Sequence, residues 1–173
     1  MKTKLKQNLL LFGIALAVIL IDQATKLIIR QNLILGQAWL PFPPSEFFRI
    51  VYWQNTGAAF GIFQNGNMVL KALTSAIILF ILVYYQTIPY EQKFVRVCLA
   101  IMLGGAVGNL IDRFTQGYVL DFIAVGNFPV FNVADSCVTV GVGLLILALL
   151  LEDKKARAHS LPGAENNQEE IKG

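Results

Sequence analysis

Histidine is almost missing from this chain: the only one, His159, lies in the polar stretch that follows residue 151. Cysteine is nearly as scarce, with only Cys98 and Cys137. A zinc site built on clustered His and Cys, and a serine nucleophile activated by an imidazole, therefore lack their parts. Charge is also thin, at 14% of residues, and the net +3 is too dispersed to draw nucleic acid. The glycine cluster Gly104-Gly105-Ala106-Val107-Gly108 lacks both the G-x-G-x-x-G spacing and a preceding strand, which excludes a nucleotide-phosphate loop. Gly104 and Gly108 instead match G-x-x-x-G, the spacing that lets helices approach closely in lipid.

What is present in excess is apolar surface. With 55% hydrophobic residues and a mean hydropathy of +0.59, the 173-residue chain describes a small polytopic membrane protein rather than a soluble globule. Crossing a hydrocarbon core takes about 20 apolar residues, and four stretches supply them: 9–29, 68–86, 94–111 and 134–151. A signal peptide competes for the first stretch, but Asp22-Gln23-Ala24-Thr25-Lys26 follows it instead of a small-residue cleavage site.

Lysines 2, 4 and 6, then Lys93 and Arg96, then Lys154, Lys155, Arg157 and Lys172 fall on one side of a four-span zigzag. The positive-inside rule puts that side, and both termini, in the cytoplasm. Cys98 then lies near the inner end of span three and Cys137 near the outer end of span four, too far apart for a disulfide.

The fold expected is an all-α membrane protein with four transmembrane helices and a small extracytoplasmic β element between helices 1 and 2. Residues 1–151 form the membrane domain, and 152–173 form a disordered cytoplasmic tail. The β region is placed at about 37–65, where Pro41, Pro43 and Pro44 exclude helix and Phe47 to Trp53 favours strand.

Ionisable residues in or beside membrane spans are costly to keep, so each is a functional candidate with a partner to be named. Asp121 and Asp135 stand between two apolar segments, with Gly126, Asn127 and Pro129 between them to turn the chain. A closed loop there brings the carboxylates together. Two such groups share one proton, so one can take a proton from water while the other gives one to a carbonyl oxygen.

Several other residues admit two readings. Asp22 and Lys26, four apart on one helix face, are either a local pair whose lysine reaches to the interface or part of the site. Asn55 and Gly57 form either a turn or a cradle for an extended peptide. Asn109, Asp112 and Arg113 are either interhelical glue or a support for the loop carrying Asp121, a task that suits Arg113. Asn132 and Asp135 have the layout of a capping box at the start of span four. A proton-coupled transporter would place carboxylates near mid-membrane, where these spans have none, and an assembly protein would not gather acids at one face.

Five blocks carry a resemblance: Asp22-Gln23-x-Thr25-Lys26; Asn55-Thr56-Gly57-Ala58-Ala59-Phe60; Gly105-x-x-Gly108-Asn109-Leu110-Ile111-Asp112-Arg113; Val119-x-Asp121-Phe122; and Phe131-Asn132-x-Ala134-Asp135-Ser136. In this order the chain resembles the lipoprotein signal peptidases, the signal peptidase II family of bacteria. The resemblance implies an aspartic endopeptidase of the inner membrane with its site at the extracytoplasmic face. It would remove the signal peptide from diacylglyceryl-modified prolipoproteins, cutting before the lipidated cysteine. Asp121 and Asp135 match the catalytic pair, and Asp22, Asn55, Asn109, Arg113 and Asn132 match the polar residues around it. Lys26, Gly57 and Asp112, in the same blocks, join them as candidates for substrate binding and support. The partners implied are lipidated prolipoprotein signal peptides and membrane lipid, with inhibition by globomycin-type peptide antibiotics. No cofactor or metal is expected.

Overall fold

A computed structural model describes residues 2–43, 47–57 and 66–159 of the chain. Four helices dominate it: α1 (Lys2–Asn32), α2 (Gly66–Thr87), α3 (Lys93–Thr115) and α4 (Val133–His159). Three short strands complete it: β1 (Ala38–Trp39), β2 (Phe48–Asn55) and β3 (Val119–Val125). Each helix contains a segment long and apolar enough to cross a membrane: Asn8–Asn32, Gly66–Thr87, Lys93–Thr115 and Val133–Leu151.

The helices end where their sequences oblige them to. α2 stops at Thr87, just before Ile88-Pro89, since the residue preceding a proline is pushed out of the helical region. α4 begins just after Asn132, whose side-chain oxygen accepts the backbone N–H of Asp135 at 2.9 Å and caps the first turn. Its other end departs from expectation. Residues 152–159, assigned above to a disordered tail, continue the helix to His159, while 160–173 lie outside the described residues. The stretch Glu152-Asp153-Lys154-Lys155-Ala156-Arg157-Ala158 consists mostly of good helix formers, so an established helix propagates through it.

α3 is the axis of the bundle. Within its apolar window 61% of residues are buried, against 11–17% in the other three, whose outward faces are left for lipid. It packs on α1, α4 and α2. Close approach on two sides depends on its glycines. A Cβ on Gly104 would stand 2.7 Å from Val18 Cβ, and one on Gly108 would stand 2.6 Å from Asp22 Oδ2, both on α1. A Cβ on Gly105 would meet the Ala134 carbonyl oxygen on α4 at 2.5 Å. The glycine cluster is thus a packing surface, as its G-x-x-x-G spacing suggested.

At one end of the bundle α2 and α3 are joined by a short turn over an apolar core that includes Leu11, Ile81, Tyr85, Leu99 and Leu103. At the other end sits the sheet, antiparallel in the order β1-β2-β3. Two of its strands come from the α1–α2 connection, as expected. The third does not: Val119–Val125, read above as part of the loop carrying Asp121, is a strand paired along β2, with Trp53 opposite Asp121 and Asn55 opposite Val119. Its apolar and β-branched residues suit a pleated, mostly buried position, a signal hidden by the turn residues that follow. The turn is real: at Gly126 (φ 51°) the chain folds back, and Ile123 bridges to Phe131.

Cys98 and Cys137 are both free, consistent with their placement on different parts of α3 and α4.

Candidate active site

Asp121 enters from the middle of β3 and Asp135 from the first turn of α4. Asn132 lies between them in the chain. Its Nδ2 donates to Asp121 Oδ1 at 2.7 Å, and its backbone N–H lies 3.3 Å from Asp135 Oδ2. With the cap already described, that contact completes a reciprocal capping box, so Asp135 does serve the helix start. The same residue nevertheless faces the site. Asn109 of α3 donates through Nδ2 to Asp135 Oδ1 at 2.7 Å, and its own Oδ1 accepts from Asn132 Nδ2 at 3.1 Å. Asn55, at the end of β2, donates to Asp121 Oδ2 at 2.9 Å. Asn132 and Asn109 thus link the two carboxyl groups, and Asn55 holds the Asp121 side alone.

Asp121 is 1% exposed, and its pKa is pushed up to about 6. Burial is the main cause, because a charged carboxylate loses its hydration there. The negative charge of Asp135 adds to it, while hydrogen bonds from Asn55 and Asn132 and the charge of Lys26 oppose it. Asp135 is only partly buried. The two look into different spaces. Asp121 lines a cavity of about 460 Å³ with Trp53, Asn55, Thr56, Phe128 and Pro129. Asp135 lines one of about 230 Å³ among α2, α3 and α4, with Thr74, Ile77, Asn109 and Arg113.

Gly57 is held by its surroundings. Its φ is +75°, its N–H donates to Asn55 Oδ1 at 2.9 Å, and a Cβ there would collide with Leu70 of α2. That N–H fixes which way the Asn55 amide points, leaving the NH2 for Asp121. Ala58, Ala59 and Phe60 of the same block lie outside the described residues.

Under the pair lies a set of buried charges. Lys26 is 0% exposed, so it neither reaches to the interface nor forms a surface pair. Its Nζ meets Asp22 at 2.8 Å, Asp112 at 3.0 Å and Asn109 Oδ1 at 3.1 Å. Asp112 also accepts from Arg30 at 3.1 Å and from Gln23 at 3.3 Å. Lys26 and the part-exposed Arg30 balance the two carboxylates, which is what permits the burial of Asp22, Lys26 and Asp112. The strand carrying Asp121 is gripped by Asp112, whose Oδ2 accepts the Leu120 N–H at 3.1 Å. Arg113, suggested above for that task, instead donates to the Asn109 backbone oxygen at 3.4 Å and lines the Asp135 cavity. Gln23 and Arg30 were not among the candidates. Arg30 continues the Asp22–Lys26 spacing by four more residues, and that shared face was the signal for it.

The model of the family described as signal peptidase (SPase) II matches residues 14–151, most of the chain. The chain belongs to the signal peptidase II family. Curated relatives agree with this. A lipoprotein signal peptidase of Moorella thermoacetica is 44% identical over 145 residues, 80% of this chain and 91% of the relative. One from Bacillus subtilis is 40% identical over 153 residues, covering 86% and 98%. Among solved structures, a bacterial membrane enzyme determined by the in meso method at 2.3 Å superposes with a TM-score of 0.76 at 34% identity, covering 84% of this chain and 90% of that one. This signal peptidase II family member is thus a protease and a multi-pass bacterial membrane protein.

Proposed function

We propose that this protein is an aspartic intramembrane endopeptidase that removes the signal peptide from diacylglyceryl-modified prolipoproteins, cutting before the lipidated cysteine. The observation that carries the reading is the linkage of Asp121 and Asp135 through Asn132 and Asn109 at the sheet end of the bundle. On this reading the mechanism divides acid and base roles between the two carboxyl groups, one ionised and one protonated. The ionised member takes a proton from a water molecule as its oxygen attacks the scissile carbonyl carbon. The protonated member donates to the carbonyl oxygen, giving a neutral tetrahedral diol. Collapse of the diol breaks the C–N bond, with a proton passing to the leaving nitrogen, and the pair returns to its shared-proton state.

The Asp121 cavity, walled by strand β2 and the turn at Phe128-Pro129, suits an extended peptide, and the Asp135 cavity among the helices suits a substrate reaching the site from the bilayer. The lysine and arginine asymmetry of the sequence puts the sheet end at the extracytoplasmic face and both termini in the cytoplasm. A lipid-anchored substrate would be oriented by its diacylglyceryl group, binding energy used away from the reacting bond. Globomycin-type peptide antibiotics would compete for the same cavities.

The test is incubation of the purified protein in detergent with a prolipoprotein carrying or lacking diacylglyceryl, followed by a size shift and mass measurement of the products. Cleavage immediately before the lipidated cysteine, much faster than for the unlipidated precursor, is expected. Cleavage elsewhere, or equal rates on both precursors, would overturn the substrate assignment.

A further inference from the structure

Lys26 offers three N–H groups, and each one has an acceptor that leads to a different part of the aspartate pair. Asp22, which takes the first, accepts the backbone N–H of Ala134 through its other oxygen at 3.1 Å, and Ala134 immediately precedes Asp135. Asp112, which takes the second, accepts the backbone N–H of Leu120 at 3.1 Å, and Leu120 immediately precedes Asp121. Asn109, which takes the third, holds Asp135 Oδ1 at 2.7 Å.

Both aspartate-bearing segments are therefore gripped at the residue before the aspartate by a carboxylate, and one ammonium joins the two carboxylates. An ammonium can only donate, so it also decides the orientation of the Asn109 amide. The oxygen must face Lys26, which leaves the NH2 for Asp135.

We propose that Lys26 is a positioning residue that fixes the separation and orientation of Asp121 and Asp135, acting through Asp22, Asp112 and Asn109 without touching substrate. This rests on the aspartic reading of the site. Arg30 is the natural comparator, because it also neutralises Asp112 but reaches neither Asn109 nor Asp22 among the described contacts. Arginine is no substitute at position 26. Its planar fork is larger and cannot point three donors at three acceptors in a fully enclosed space.

The test is steady-state kinetics on a lipidated precursor, with rates referred to the amount of folded enzyme. Lys26→Met is expected to lower kcat about 100-fold, the effect of a misplacement near 1 Å, with KM changed by less than about twofold. Lys26→Arg should fail to restore kcat, and Arg30→Met should cost less than about tenfold in kcat. The pH profile adds a readout that loss of packing would not move. Lys26 favours the ionised form of Asp121, so its removal should shift the Asp121 inflection upward.

Should Lys26→Met fail to fold, the pair Asp22→Asn with Lys26→Met keeps an acceptor for Ala134 and leaves Asp112 paired with Arg30. The same kcat loss is expected of it. A kcat within about threefold of the parent in either form, or equal losses in Lys26→Met and Arg30→Met, would overturn the proposal. Asp121→Asn runs in the same assay. Activity retained there would overturn the aspartic reading and this proposal together, whereas activity lost there and kept without Lys26 would overturn this proposal alone.

Discussion

Arg96, beside the α2–α3 turn, and Lys26, beneath the sheet, are two cations withdrawn from solvent in one small bundle, at 2% and 0% exposure. Their surroundings have little in common. Arg96 lies over the Tyr85 ring at 4.5 Å and donates to the backbone oxygens of Ile88 and Pro89. It closes a turn, using the residues that a turn must leave unpaired. Lys26 is surrounded by carboxylates and an amide, and those groups lead on to the two aspartates. A buried charge is costly in both places, yet its partners show what it does. Carbonyls and a ring mark a structural clasp; carboxylates with further partners tie Lys26 to the candidate site.

The sharpest way to break this contrast is at the aspartates themselves. Asp121→Asn and Asp135→Asn should each lower kcat on a lipidated precursor by about 10²–10⁴-fold, the range for a lost acid or base. On the proposed mechanism the two act as a unit, so the double variant should cost little more than either. Asp135→Asn keeps a capping side chain and should fold normally, so substantial turnover by that variant would reduce Asp135 to its helix-start role.

At the other end, Arg96→Met should do the reverse. Two carbonyls lose their donor and the ring loses its cation, which costs about 1–3 kcal/mol of stability by thermal unfolding in detergent. The rate per folded molecule should stay near the parent's. A drop in kcat without a drop in stability would show that the turn end communicates with the site.

A pH series separates the ends further. The Asp121 pKa rises from 3.8 to about 6 on folding, so the folded state binds its proton more tightly than the unfolded one does. The stability this provides is complete below about 3.8 and is lost as pH rises through about 6. The unfolding temperature should decline over that window in the parent, and this component should vanish in Asp121→Asn while persisting in Arg96→Met. An identical decline in Asp121→Asn would assign the titration to another group.

Two glycines give the closing contrast, with the smallest expected effect at Gly143. Gly108→Ala would drive a methyl to 2.6 Å from Asp22 Oδ2 and should cost about 1–3 kcal/mol, together with some activity, by displacing a partner of Lys26. At Gly143 nothing lies within 4 Å of an added Cβ, so Gly143→Ala should change stability by no more than about 1 kcal/mol, in the stabilising direction. Comparable destabilisation at both positions would mean that close helix approach is not what Gly108 provides.

Much of this was written in the sequence. Four apolar runs determined four helices, because backbone groups in lipid must be satisfied within their own segment. Proline and strand-favouring residues determined that something other than helix lies between the first two, and the scarcity of histidine and cysteine left carboxylates as the candidate groups. Asp121 and Asp135 stood out because acids are rare beside such runs. Tertiary structure alone decided the rest. Val119–Val125 became a strand only because β2 offered it an edge, and strand pairing is a contact between segments far apart in the chain. The burial of Lys26 likewise could not be read from Asp22 and Lys26, whose spacing is the same in an exposed pair. It required α3 to bring Asn109 and Asp112 against α1, an approach that Gly104 and Gly108 permit and that only packing realises.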